Sequence, residues 1–197
     1  MTIPAELQNL LNRNNGTITN KQAGEIGMSR ERLRLLANAG DLERMAAGVY
    51  MSPDALPDKM YIEQIKKPKI IFSHETALFL HDLTDRDPLK YSVTVPQGYN
   101  TAALISNGFD VFTVKKELYE SGVVQTKTVF GNPVRVYSLE RTICDCVKSR
   151  NKMDIAVVTD ALKRYSKRKD KNLHLLMEYA ELFRITKLLR NYMEVLL

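Results

Sequence analysis

The sequence predicts an α+β protein: a winged helix-turn-helix over residues 1–57, then a mixed α/β domain over residues 58–197 with a helical C-terminal part. Three features point there. Residues Ile18–Ser52 hold two short helical patterns followed by a glycine-hinged pair of short strands. Residues 70–137 are strand-like runs broken by turn residues. From Ser138 onward the apolar residues recur with helical spacing.

A first helix is expected over Pro4–Arg13, where Ala5, Leu7, Leu10 and Leu11 form an amphipathic stripe that Asn14-Asn15-Gly16 ends. Thr19 with Gln22 three residues later is a capping-box pattern, so a second short helix starts at Asn20 and stops near Gly27. Ser29 is a good N-cap for a third helix running to about Asn38. On that helix Leu33, Leu36 and Ala37 share the face that packs on the first two helices. Arg34, Asn38 and Glu31 point away, Arg32 lies on a flank, Arg30 sits in the first turn, and Leu35 is apolar on the outward side. Leu42–Ala46, the Ala47-Gly48 turn and Val49–Met51 form the wing.

Ser52–Lys59 is proline- and polar-rich and serves as the exit from the wing. A short helix over Tyr61–Lys67 precedes a buried strand, Ile70-Ile71-Phe72, and Ser73 reads as the N-cap of a helix through about His81. Tyr91–Val95 alternates as a strand and stops at Pro96, and Phe109–Val114 is another strand. Val123–Phe130 and Val134–Tyr137 flank Gly131-Asn132, a hairpin signal. Helices follow near Leu139–Lys148, Asp154–Tyr165 and Leu173–Leu189.

Composition narrows the class. Hydrophobic residues at 44% and charged residues at 26% are ordinary for a soluble globular protein, and no apolar run approaches a membrane span. The N-terminal MTIPAELQNLL has no basic region leading into an apolar stretch, so no secretory signal is expected. The two cysteines, Cys144 and Cys146, are one residue apart, which suits neither an easy disulfide nor a zinc knuckle; they read as reduced thiols of a cytoplasmic protein.

A net charge of +6 favours an acidic partner, but its distribution is uneven. Residues 1–60 hold seven basic and seven acidic side chains, whereas residues 111–197 hold 17 and 10. The expected DNA reader is therefore neutral overall with its arginines concentrated locally. A helix whose first turns carry Arg can enter the major groove and pair bidentately with guanine O6 and N7. Thr19, Lys21, Ser29, Arg30, Arg32, Arg34, Asn38 and, on the wing, Arg44 are the candidate DNA contacts. The run Lys163–Asn172 supplies a second basic set, Lys163, Arg164, Lys167, Arg168, Lys169 and Lys171, suited to auxiliary phosphate or partner contacts.

The wing ending in LERMAAGVYMS, followed by IIFSHETALFLHDLTDRDPLKYSVTVPQGYN and VYSLERTICDCV, resembles the AbiEi family of antitoxins over nearly the whole chain. The most telling pieces are Ser73-His74-Glu75-Thr76-Ala77, Thr94-Val95-Pro96, and Glu140-Arg141-Thr142 with Asp145. The resemblance implies an antitoxin of a type IV toxin–antitoxin (abortive infection) system. Its N-terminal domain would repress the shared operon through double-stranded operator DNA with inverted repeats. Its C-terminal domain would oppose an AbiEii-like nucleotidyltransferase toxin, with direct contact to that toxin left open.

No enzyme, metal or cofactor is expected. His74 and His81 are two helical turns apart, too far to ligate one ion, and His74 beside its cap reads as a structural group. No Walker loop, nucleophile elbow, dinucleotide fingerprint or zinc-helix motif appears. Glu140, Arg141 and Asp145 read as a buried or half-buried ion-pair set, in which Arg141 and Asp145, four residues apart, form a structural pair tying their helix to the preceding hairpin; an ordinary surface acid is the alternative for Glu140. Two other readings stay open: a winged-helix regulator with a ligand-sensing or assembly domain, and a defence nuclease with a DNA-targeting head. The second lacks any carboxylate-plus-lysine motif.

Overall fold

A computed structural model of the chain describes residues 3–196. It is α+β and divides into two compact units, Met1–Pro68 with Lys127–Val134, and Lys69–Thr126 with Arg135–Leu197.

The first unit runs α1 (Ala5–Arg13), β1 (Thr17–Thr19), α2 (Asn20–Glu25), α3 (Arg30–Asn38), β2 (Glu43–Ala46), β3 (Val49–Met51) and α4 (Lys59–Lys66). Leu7 and Leu11 of α1, Ala23 of α2, Leu33 and Leu36 of α3, Ile18, Leu42 and Tyr50 make one buried cluster. Its apolar spacing is what holds three short helices together, since none is long enough to be stable alone. The local signals work as chemistry dictates. Thr19 Oγ1 accepts from the Gln22 amide at 3.2 Å, while Gln22 Oε1 accepts from the Thr19 amide at 2.8 Å, a complete capping box. Ser29 Oγ accepts from the Arg32 amide at 3.2 Å and starts α3.

The strands β2 and β3 pair antiparallel with a bulge between Arg44 and Ala46. Sequence reasoning missed β1, which pairs antiparallel with the other edge of β3 and makes a three-stranded sheet in the order β1-β3-β2. Three residues between two turn signals carry too little periodicity to announce a strand. At the turn, Gly48 has φ +74°, and a Cβ there would meet Asn20 Nδ2 at 2.8 Å.

The second unit carries β4 (Ile71–Phe72), α5 (His74–Leu80), β5 (Ser92–Pro96), α6 (Ala102–Ser106), β6 (Asp110–Val114), α7 (Lys116–Tyr119), β7 (Val123–Lys127), β8 (Pro133–Tyr137), α8 (Leu139–Lys148), a 3-10 turn at Arg150–Lys152, α9 (Ile155–Lys167), α10 (Leu173–Leu182) and α11 (Thr186–Leu196). The strands form one mixed sheet in the order β6-β5-β4-β8-β7. The central β4 pairs antiparallel with β5 and parallel with β8, which is why Ile71 and Phe72 are apolar and wholly buried. Helix α8 is buried from Glu140 through Val147 and packs against α5, α9 and α10.

Two expectations change. The helix expected over Leu173–Leu189 is two helices, α10 and α11, broken at Arg184, whose φ is +58°. The Ile185 amide reaches back to the Ala180 carbonyl at 2.8 Å, a helix-ending pattern that here lacks glycine. The break buries both Phe183 and Ile185, and that tertiary gain overrides the local cost. Ser73 stands before α5 but does not cap it: its Oγ accepts from Thr94 Oγ1 at 2.8 Å and lies 3.0 Å from His74 Nδ1.

Candidate nucleic-acid interface

Helix α3 rests on Leu33 and Leu36, both buried, and this fixes what its other sides present. Arg30, Arg34 and Asn38, spaced by four, form one exposed row about 12 Å long at 1.5 Å per residue. Arg32 and Leu35 are also exposed, Leu35 at 43%. Arg34 Nη2 donates to Glu31 Oε1 at 2.9 Å, a pair that stays in water with both side chains about 60% exposed.

Across from the C-terminal half of α3 lies β2. Arg44 sits on this strand opposite Tyr50; Tyr50 is buried and Arg44 is exposed. An open groove of about 620 Å³ joins them, lined by Arg34, Asn38, Leu42, Glu43, Arg44 and Pro53. Of the sequence-derived candidates, the structure therefore brings Arg34, Asn38 and Arg44 to one groove. It leaves Arg30, Arg32 and Lys21 exposed elsewhere on α2 and α3, and gives the Thr19 and Ser29 hydroxyls capping work.

Sequence reasoning missed a polar cluster in the same unit. Asp58 is 2% exposed and caps α4 by accepting from the Tyr61 amide at 3.1 Å. Its other oxygen accepts from Thr128 Oγ1 at 2.5 Å and Asn132 Nδ2 at 2.9 Å. The capping half of this was readable, an Asp before a helical run. The partners some 70 residues on were not.

The second unit uses its cations differently. Arg141 is 0% exposed. Its Nε donates to Asp145 Oδ2 at 2.9 Å, and Nη1 donates to the Leu118 and Ser121 carbonyls at 3.0 and 2.8 Å. The guanidinium lies between the Tyr137 and Phe183 rings, 4.1 and 4.3 Å from their centroids. Burial pushes the Asp145 carboxyl up, and Arg141 counteracts it. Glu140 is buried too, accepting from the Asn172 amide at 2.9 Å.

Within the basic run, Arg164 pairs with Asp85 at 2.6 Å and Asp160 at 2.9 Å. Arg168 pairs with Asp170 at 2.7 Å and donates to the His81 carbonyl at 2.8 Å. Lys171 Nζ donates to the Arg168 carbonyl at 3.0 Å, while Lys163, Lys167 and Lys169 are exposed.

His74 is buried with φ +49° and stacks on Phe112 at 3.4 Å between centroids. Its two ring nitrogens lie 3.0 Å from Ser73 Oγ and from Ser149 Oγ. Burial, with the nearby charges of Arg141, Lys152 and Lys148, holds it down to about 3, so the ring is neutral. His81 Nε2 donates to the Tyr137 carbonyl at 2.7 Å. The two rings have different partners, and among the described residues no group of three or more His, Cys, Asp or Glu side chains is arranged to hold a metal. Among those residues, too, no helix is long and apolar enough to cross a membrane.

Comparison with known proteins adds the following. Curated protein sequences give no match. The crystal structure of the RV2827C protein from Mycobacterium tuberculosis is similar in fold, with a TM-score of 0.53 at 12% identity, over 90% of this chain and 72% of that one. Residues 6–53 match the family model described as "Transcriptional regulator, AbiEi antitoxin".

Proposed function

We propose that the first unit is a winged helix-turn-helix that binds operator DNA, with α3 in the major groove and the β2–β3 hairpin as the wing. The observation that carries this reading is the row Arg30, Arg34 and Asn38 on α3, with Arg44 facing the same groove as the last two. Arg pairs bidentately with guanine and Asn with adenine, so this row has the chemistry of base readout at the length of a helix segment in the groove. Thr19 and Ser29 support the contact by fixing the two helix starts; Lys21 and Arg32 supply phosphate contacts.

The family match over residues 6–53 supports a regulator and antitoxin role. The finer reading is an autorepressor of a type IV toxin–antitoxin operon. In it the second unit counters an AbiEii-like nucleotidyltransferase toxin in the cytoplasm. Lys163, Lys167 and Lys169 are the members of the basic run suited to auxiliary phosphate or toxin contacts, because Arg164 and Arg168 are already paired.

The test is binding of the full chain to a duplex spanning the region upstream of its own reading frame, against a shuffled duplex. Arg34→Ala is expected to cost about 1–3 kcal/mol on the first and little on the second. Equal losses on both remove the base-reading role. Loss of the protection this chain gives cells expressing a neighbouring nucleotidyltransferase-like gene, on deletion of the chain, tests the antitoxin half.

A further inference from the structure

The outward face of α3 is not uniformly basic. Glu31 lies within about 20° of Asn38 round the helix and about 60° from Arg34, along the edge of the proposed reading row on the Asn38 side. Its carboxylate holds Arg34 at 2.9 Å. The fold has little need of this contact, because an exposed pair three residues apart stabilises a helix only weakly. Against a polyanion the same carboxylate is a liability, since it repels phosphate and cancels the charge of the arginine beside it. An acid in this place serves binding only where the duplex offers a hydrogen-bond donor. In the major groove a carboxylate's matching donor is the cytosine N4 amino group.

Resting on the DNA-reading proposal above, we infer that Glu31 is the specificity-determining residue of α3. On non-cognate DNA it keeps Arg34 paired and the face close to neutral. On the cognate site Arg34 turns to guanine O6 and N7, and Glu31, released, accepts from the N4 amino group of a neighbouring cytosine. The neutrality of residues 1–60, seven bases against seven acids, fits a reader that suppresses non-specific binding.

The experiment uses full-length Glu31→Gln, which keeps the side chain's shape and removes its charge, with the upstream duplex and a shuffled duplex at several salt concentrations. The shuffled duplex is expected to bind roughly fivefold tighter, with a salt slope steeper by about one ion. The ratio of upstream to shuffled affinity should fall roughly tenfold, and sequences selected from a random pool should lose one cytosine position. Glu31 in the first turn also favours the helix dipole, so thermal unfolding is measured alongside. An unchanged affinity ratio, or a loss on both duplexes that tracks lost stability and is also seen in Glu31→Ala, overturns the inference. If Arg30→Ala and Arg34→Ala weaken upstream binding while Glu31→Gln changes nothing, the Glu31 role alone fails. If the arginine variants also change nothing, the DNA-reading proposal falls with it.

Discussion

The arginines of the first unit and those of the second are the same chemical group put to opposite uses. On α3 and β2, Arg30, Arg32, Arg34 and Arg44 are exposed, and Arg34 has one weak partner in water. In the second unit Arg141 is enclosed by two rings, a carboxylate and two carbonyls, and Arg164 and Arg168 are committed to neighbouring aspartates. Charge counting points to the second half of the chain as the DNA-attracting part. The structure shows that Arg141, Arg164 and Arg168 of that half already have carboxylate partners. Surface availability, rather than the tally of bases, identifies a cation that can meet phosphate or a base edge.

The largest effect expected from breaking this contrast is at Arg141. Arg141→Ala leaves the Asp145 carboxylate buried without its partner and should lower stability to urea by roughly 3–5 kcal/mol. The paired change Arg141→Leu with Asp145→Leu should recover much of that loss, because no charge is then left buried. A double variant as unstable as the single would show that the ring stack, and not the ion pair, is what Arg141 supplies.

Next comes pH. His74 is held neutral to about pH 3 in the fold but takes a proton near 6.5 when unfolded, so the unfolded chain binds more protons between these values. Stability is then full above 6.5 and declines as pH falls, by about 2 kcal/mol on reaching pH 5 from this group alone. His81, also pushed down by burial, adds in the same direction. His74→Gln should flatten the dependence of the urea midpoint on pH across that window, and an unchanged slope would contradict the neutral buried ring.

In the first unit, Gly48→Ala forces a left-handed backbone on a side chain and a 2.8 Å contact with Asn20. It should cost about 1–2 kcal/mol of stability, and more than any other glycine-to-alanine change in open space, such as Gly40→Ala, where no atom lies within 4 Å. Equal losses at the two glycines would remove the Asn20 contact from the account of the turn.

The smallest effect concerns the exposed lysines. Lys163, Lys167 and Lys169 changed to Glu should weaken upstream-duplex binding and flatten the salt slope by roughly one ion per lost contact, with sequence preference kept. An unaltered slope would assign these lysines to a protein partner or to solvent.

What the sequence disclosed follows from range. Helices α1 to α3 of the first unit, the capping box and the β2–β3 hairpin are written in residues within four places of each other, through Thr19, Gln22, Ser29 and Gly48. The helix break at Arg184 was hidden because the αL residue is not glycine, and its cause is burial of Phe183 and Ile185. The Asp58 cluster with Thr128 and Asn132 was hidden by sequence distance. Of the candidate interface, the row on α3 was legible from helical spacing. The joining of Arg34 and Asn38 to Arg44 across a groove, and the prior engagement of Arg164 and Arg168, needed three dimensions.

The contrast between the two sets of arginines reduces to one comparison in one buffer. The affinity of the upstream duplex is measured for the Arg30→Ala, Arg34→Ala double variant and for the Arg164→Ala, Arg168→Ala double variant. The account predicts a loss of tenfold or more for the first, about 1.4 kcal/mol per tenfold, and no change for the second beyond any shift in folded fraction. Loss confined to the second pair, with the first binding as the parent does, would contradict it.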